Sequence, residues 1–172
     1  MWYGPPWGLY PMACSVYVRN PSNQEMLAAK PILIAEDFEP DAKALELTLK
    51  KAGVANPLIF VSDGDQAIYY LMGKGIYADR EKYPFPGVFL LDLKMPRLDG
   101  YEVLRWCRSQ PQLSDLVICV LSGYHELQDV ARAYQLGAST FLVKPLAVAD
   151  IQNVVEGHPG PWELSRTPGP RR

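Results

Sequence analysis

The chain has 172 residues, enough for one ordinary domain, and 48% of them are apolar, which favours a packed globule over extensive disorder. The formal net charge is -2 and no basic run is longer than Arg171–Arg172, so a nucleic-acid-binding face is not predicted. No apolar run has membrane-spanning length, and the N-terminus lacks the residue order of a signal peptide, so we expect a cytoplasmic protein with no membrane partner.

The N-terminal stretch MWYGPPWGLYPM mixes prolines, glycines and aromatic residues without periodicity. Residues 1–29 are therefore predicted to form an irregular tail, either an unstructured leader, which is the simpler interpretation, or an arm that binds a partner. Translation from Met26 instead of Met1 is a further alternative, because the first regular segment begins shortly after it.

Regular structure is predicted from Lys30 onward, as a strand, a helix, a strand and a helix. These segments are PILIA, EPDAKALELTLKKAG, PLIFV and DGDQAIYYLMG. Pro40 suits the first turn of the first helix and Gly53 its end. Asp63 and Gln66 have the spacing of a capping box at the start of the second helix. The connection that follows, residues 74–87, is long, and connections of this length are usually functional or flexible.

The second half of the chain repeats the alternation. The segments VFLLD, LVICVLS and TFLV are predicted strands, and DGYEVLRWCRSQ, ELQDVARAYQLG and VADIQNVVEG are predicted helices. Asp99 and Glu102 have capping-box spacing, and Gly137 suits a helix end. The last helix is short, and residues 157–172 are predicted to form a loose C-terminal tail.

Five strands alternate with five helices, and the strands are apolar on both faces, so helices are expected on both faces of one sheet. This pattern predicts an α/β domain with a parallel, doubly wound sheet over residues 30–156. In such folds the functional site lies beyond the carboxyl ends of the strands. Two of the three cysteines, Cys107 and Cys119, lie in apolar patterns and are expected in its core, and the three form neither a disulfide framework nor a metal-ligand spacing.

Polar residues stand where four of the predicted strands end. Glu36 and Asp37 follow the first strand, Asp92 ends the third, and Ser122 and Lys144 end the fourth and fifth. Alone, each is explained as a solvated turn residue, but parallel strands bring all of them to one edge. Clustered carboxylates repel, so their pKa values rise or a cation lies among them, and hard oxygen ligands suit Mg²⁺. With an ammonium and a hydroxyl added, the site is predicted to receive a phosphoryl group, with Asp92 as nucleophile.

These residues resemble the response-regulator receiver domain of two-component signalling. The matching elements are ILIAEDF, LLDLKMPRLDG, VLSG and FLVKP, with Ser122 thirty and Lys144 fifty-two residues after Asp92. The resemblance implies a flavodoxin-like sheet with strand order 2-1-3-4-5. It also implies that Asp92 accepts a phosphoryl group from a sensor histidine kinase.

The resemblance implies further roles. Asp37, Asp92 and the backbone carbonyl of Lys94 would bind Mg²⁺, and Glu36 would act through water. Lys144 would pair with the phosphate, Ser122 would move onto the phosphoryl oxygens, and Phe141 would change rotamer with it. The Lys144–Pro145 peptide bond would be cis. Ser122 stands where many receivers have Thr, and it retains the hydroxyl.

The 74–87 connection resembles that of stand-alone receivers, several of which are partners of phytochrome-like kinases. We expect a signalling phosphoacceptor that acts by contact with a downstream protein or a second copy, and not an enzyme beyond slow self-dephosphorylation. One alternative is a pseudo-receiver that is never phosphorylated and acts as a binding module, but such a protein would lack some of these residues. A phosphohydrolase of the aspartyl-nucleophile type is disfavoured, since that chemistry wants a second acid where this chain has Lys94.

Overall fold

A computed structural model describes residues 29–123 and 127–165 of the chain. The strands are β1 Ile32–Ala35, β2 Leu58–Val61, β3 Val88–Asp92, β4 Val117–Ser122 and β5 Thr140–Val143. The helices are α1 Glu39–Lys51, α2 Gly64–Met72, α3 Gly100–Ser109, α4 Leu127–Gln135 and α5 Val148–Gly157. The predicted tail of residues 1–29 falls outside the described residues, apart from its last residue.

The five strands form one parallel sheet in the order β2-β1-β3-β4-β5, which confirms the predicted doubly wound topology. Because side chains alternate along a strand, each strand contributes to two cores. Leu33 and Phe89 face α2, α3 and α4, whereas Ile34 and Leu90 face α1 and α5. Each face of the sheet is thus covered, and its carboxyl edge stays open for a site.

Local signals in the sequence determine several helix ends. Pro40 lies in the first turn of α1, and Gly53 follows that helix with a positive φ of 85°. Asp99 and Glu102 form a complete capping box at the start of α3. At α2 only half of the predicted box forms: Asp63 accepts from the Gln66 backbone N–H. The Gln66 side chain instead accepts a hydrogen bond from the Tyr77 hydroxyl, a partner eleven residues away.

Part of residues 157–172, for which the sequence predicts a loose tail, contacts the domain in the described residues. Leu164 forms an antiparallel bridge with Val54, and Ser165 donates its backbone N–H to the Gly53 carbonyl. Trp162 packs against the core beneath α1 and α5. Backbone pairing and a half-buried aromatic ring hold this segment, although its prolines and glycine end the regular helix.

No helix within residues 29–123 and 127–165 combines the length and the apolar character that crossing a membrane requires.

Candidate functional site

The site is built where β1, β3, β4 and β5 end. Parallel pairing aligns these ends: Asp92 stands beside Leu121 of β4, and Ser122 stands beside Val143 of β5. Lys144 follows β5 directly, and its backbone N–H donates to the Ser122 carbonyl. The residues that the sequence placed at strand ends therefore lie together at one edge of the sheet.

Three carboxylates form the acidic part of the site. One oxygen from each of Glu36, Asp37 and Asp92 lies within 4.8 Å of the other two. Asp92 is 3% exposed and Glu36 is 6% exposed, whereas Asp37 faces solvent. The site is thus a partly open pocket with two buried acids at its base.

Lys144 enters this pocket from β5. Its ammonium nitrogen lies 2.7 Å from Glu36 Oε2, 2.9 Å from Asp41 Oδ2 and 3.1 Å from Asp92 Oδ1. Burial lowers the pKa of Lys144, but hydrogen bonds to Asp41 and Glu36 and the charge of Asp92 outweigh it, and the pKa is raised overall. Lys144 is therefore a permanent cation against the Asp92 carboxylate.

Desolvation opposes the charged forms of the two buried acids. Burial raises the pKa of Asp92, and the negative charge of Asp37 adds to this, although Lys144 and the Lys94 backbone N–H act in the opposite direction. Burial likewise raises the pKa of Glu36, while its bond to Lys144 lowers it. One lysine does not fully offset the acids, so the pocket favours an additional cation.

The donor set fits a hard divalent cation. It consists of carboxylate oxygens, and Mg²⁺ prefers oxygen ligands and retains several waters, for which the exposed side of Asp37 leaves room. Neither histidine nor cysteine belongs to this cluster, which disfavours a zinc-type site. Asp37 and Asp92 are the residues best placed to hold the ion, next to Glu36.

Ser122 and Phe141 lie on β4 and β5, the two strands that follow β3 in the order of the sheet. Ser122 is buried at the end of β4, and Phe141 is half-buried in β5 against the core beneath α2, α3 and α4. The Lys144–Pro145 peptide bond is cis. The role of the Lys94 carbonyl as a metal ligand stays a prediction.

A glycine fixes the approach of α3 to β3, the strand that ends at Asp92. A Cβ atom at Gly100 would lie only 2.3 Å from the Asp92 carbonyl oxygen, so any larger residue would push α3 away. The Gly100 backbone N–H donates to the Leu93 carbonyl at 3.0 Å. The DG pair that follows the KMP turn therefore has a packing function as well as a capping one.

Sequence reasoning missed Asp41, which pairs with Lys144 from the first turn of α1. Its signal is an acid one helical turn beyond the Glu36–Asp37 pair, which is hard to separate from the acids that commonly begin a helix. It also missed the ion pairs of Arg97, in the β3–α3 loop, with Asp63 and Asp65 at the start of α2. Those pairs join loops that are distant in sequence.

The fold and the site define a flavodoxin-like α/β domain with an acidic pocket and a lysine at the carboxyl edge of its sheet. The family model of the response regulator receiver domain matches residues 32–156. The chain therefore belongs to the response regulator receiver family of two-component systems.

Individual relatives agree with this assignment. The response regulator Rcp1 of Synechocystis sp. is 33% identical over 133 residues, which cover 77% of this chain and 88% of that protein. The solved structure of RPA3017, a response regulator in red light signaling of R. palustris, matches with a TM-score of 0.70 at 35% identity, covering 80% of this chain and 99% of that one. The bacteriophytochrome response regulator RtBRR matches with a TM-score of 0.71 at 35% identity, covering 82% and 84%.

A structure of Rcp1 with bound Mn²⁺ also matches, with a TM-score of 0.62 at 34% identity over 74% of this chain and 90% of that one. The chain is thus similar to phytochrome-associated response regulators, as the 74–87 connection predicted.

Proposed function

We propose that the protein is a phosphoacceptor that receives a phosphoryl group on Asp92 from a histidine kinase in a reaction that requires Mg²⁺. The observation that carries the proposal is the buried Asp92 carboxylate with the Lys144 ammonium 3.1 Å from it, inside a cluster of three acids. An aspartate that only ended a strand would need neither a half-buried lysine nor two further acids beside it.

The transfer follows from the charges around Asp92. A carboxylate oxygen of Asp92 attacks phosphorus, the bond from phosphorus to the donor nitrogen breaks, and its electron pair stays on the imidazole. Lys144 neutralises negative charge on the phosphoryl oxygens, and Ser122 supplies a hydroxyl donor to one of them. Mg²⁺, held by Asp37, Asp92 and the Lys94 carbonyl and by Glu36 through water, would add further positive charge at these oxygens.

The kinase partner is inferred from the relatives. RtBRR is a bacteriophytochrome response regulator, and RPA3017 belongs to red light signaling. We infer that the kinase of this chain is phytochrome-like. Slow loss of the phosphoryl group to water would reset the protein, which is a signalling property and not a separate enzymatic function.

Phosphorylation would be read out on the face made by β4, α4, β5 and α5. Tyr134 is 49% exposed and Val143 is 38% exposed on this face, and Phe141 between them is half-buried. In α5, Ile151 and Val154 are buried against the sheet, so they are not available to a partner. We propose that a downstream protein or a second copy of the chain binds near Tyr134 and Val143.

A small phosphodonor tests the proposal directly. The protein is incubated with acetyl phosphate and Mg²⁺, and intact mass is measured. We expect one added phosphoryl group on the wild type, none on Asp92→Asn and slower labelling of Asp37→Ala. The control is Asp115→Asn, whose carboxylate is exposed at the opposite edge of the sheet, and it should be labelled normally. Wild-type protein that gains no phosphoryl group from any donor or kinase would favour the pseudo-receiver alternative.

A further inference from the structure

Three side chains join α3 to α4, and we refer to Tyr101, Asp129 and Arg132 as the α3–α4 clasp. The Tyr101 hydroxyl donates to Asp129 Oδ1 at 2.8 Å, and the Arg132 guanidinium lies 4.0 Å from the centre of the Tyr101 ring. Burial, together with Asp129, raises the pKa of Tyr101 to about 12, so the hydroxyl keeps its proton at neutral pH. The clasp combines a charge-assisted hydrogen bond with a cation–π contact.

The α3 end of the clasp is fixed relative to the phosphoacceptor. Tyr101 follows Gly100, which packs against the Asp92 carbonyl and donates to Leu93. The capping box of Asp99 and Glu102 stabilises the same turn. Tyr101 therefore cannot shift far without moving the end of β3.

The α4 end of the clasp is connected to the hydroxyl that would bind the phosphoryl group. α4 begins at Leu127, five residues after Ser122, and Asp129 lies in its first turn. A cavity of about 500 Å³ lies between the two helices, and Ser122, Lys94 and the three clasp residues are among those that line it. The clasp thus forms a wall of the space next to Ser122.

We propose that the α3–α4 clasp stabilises the arrangement of α4 that exists without a phosphoryl group on Asp92, so that Tyr101 is a positioning residue that acts on Ser122 through α4. This inference rests on the proposed function. When Ser122 moves onto a phosphoryl oxygen, we expect α4, which begins five residues later, to shift as well. A contact that stabilises only the starting arrangement opposes that movement, and its loss shifts the population towards the phosphorylated arrangement.

The affinity for beryllofluoride, a phosphoryl mimic, in the presence of Mg²⁺ measures how strongly the clasp opposes the movement of Ser122. Tyr101→Phe removes the hydroxyl and keeps the ring, so we expect affinity to rise about fivefold, the effect of one hydrogen bond of ordinary net strength. Asp129→Ala should give a similar increase, and the double variant little more, since both remove the same contact. The control is Tyr69→Phe, an exposed tyrosine of α2, which should leave affinity unchanged.

Amide hydrogen exchange supplies a readout without metal or mimic. Exchange in residues 127–135 should be faster in Tyr101→Phe than in the wild type, because α4 loses its connection to α3. Unchanged beryllofluoride affinity in Tyr101→Phe, or additive effects of the two substitutions, would overturn the role of the clasp. Wild-type protein that fails to bind beryllofluoride, or that binds it as well after Asp92→Asn, would overturn the proposed function, and the role of the clasp with it.

Discussion

Asp92, the proposed phosphoacceptor, carries an energetic cost. Burial raises its pKa, so the folded protein holds the proton more tightly than the unfolded chain does. By linkage, Asp92 does not change the free energy of unfolding at a pH below its unfolded-state pKa. As pH rises to its folded-state pKa and beyond, ionisation lowers that free energy, and the full loss is reached above the folded-state pKa. The ionised form of Asp92 therefore weakens the fold, which is typical of residues retained for chemistry.

We predict that Asp92→Asn is more stable than the wild type at neutral pH in the absence of divalent metal, because the amide fills the same space without a charge to desolvate. A gain of about 1 kcal/mol would raise Tm by roughly 2–4 °C in a domain of this size. Mg²⁺ should reduce the difference in Tm between the two proteins, because it stabilises the wild type and not Asp92→Asn. The control is again Asp115→Asn, and a lower Tm for Asp92→Asn without metal would contradict the prediction.

The main site residues could be predicted because each follows an apolar strand at a fixed place. Asp92, Ser122 and Lys144 need only the topology to be brought together. Asp41 could not be predicted in the same way, because its contact with Lys144 depends on the side-chain direction in α1.

The connection between α2 and β3 shows how a segment without long regular elements becomes ordered. It contains a short 3-10 helix, Gly75–Tyr77, and the rings of Tyr77 and Tyr83 pack edge-on against each other and against Tyr70 of α2. Arg80 donates to the carbonyls of Tyr70, Leu71 and Tyr83. The guanidinium thus adds a charged donor to carbonyls at the end of α2, where the Tyr70 carbonyl also accepts from the Gly73 backbone N–H.

We predict that Arg80→Ala lowers the free energy of unfolding by about 2 kcal/mol, because it leaves these carbonyls without a charged donor. Arg80→Lys should recover only part of the loss, since an ammonium does not reproduce the planar fork of a guanidinium. The control is Glu81→Ala, an exposed neighbour. Urea denaturation measures all three variants, and equal stability of Arg80→Ala and Glu81→Ala would show that the cap is dispensable.

In the described residues, the two edges of the sheet at which its strands begin and end differ in kind. The acidic site occupies the carboxyl edge of the sheet, and residues 161–165 close the opposite edge. Asn56 holds that closure: its side chain donates to the Lys30 and Pro161 carbonyls and accepts from the Glu163 backbone N–H. One buried side chain therefore links the start of β1, the approach to β2 and the C-terminal segment.

We predict that Asn56→Ala destabilises the domain by about 2–3 kcal/mol, because buried backbone groups lose their partners. Hydrogen exchange should rise in residues 161–165, while beryllofluoride affinity should stay unchanged because the acidic site lies at the other edge. The exposed Asn153 of α5 provides the control Asn153→Ala. Unchanged exchange in residues 161–165 would show that Asn56 does not hold the segment.

For the whole molecule, the sequence predicts the repeated alternation of strands and helices but not the docking of the C-terminal segment. The alternation of apolar strands with amphipathic helices was sufficient for the parallel sheet and its two covered faces. The docking of residues 161–165 was not predictable, because Pro159 and Pro161 indicate only where a helix cannot continue. Residues 161–165 contact Val54 and Asn56, which lie about a hundred residues earlier and carry no local signal of this contact.

The most direct test of the central claim is to locate the acyl phosphate chemically. The phosphorylated protein is reduced with borohydride, which converts a phosphorylated aspartate to homoserine, and its peptides are sequenced by mass spectrometry. We predict homoserine at position 92 only. We expect less of it after Lys144→Ala, because that lysine neutralises charge on the phosphoryl oxygens. Homoserine at Asp37, or at an acid outside the pocket, would contradict the assignment of Asp92 as the phosphoacceptor.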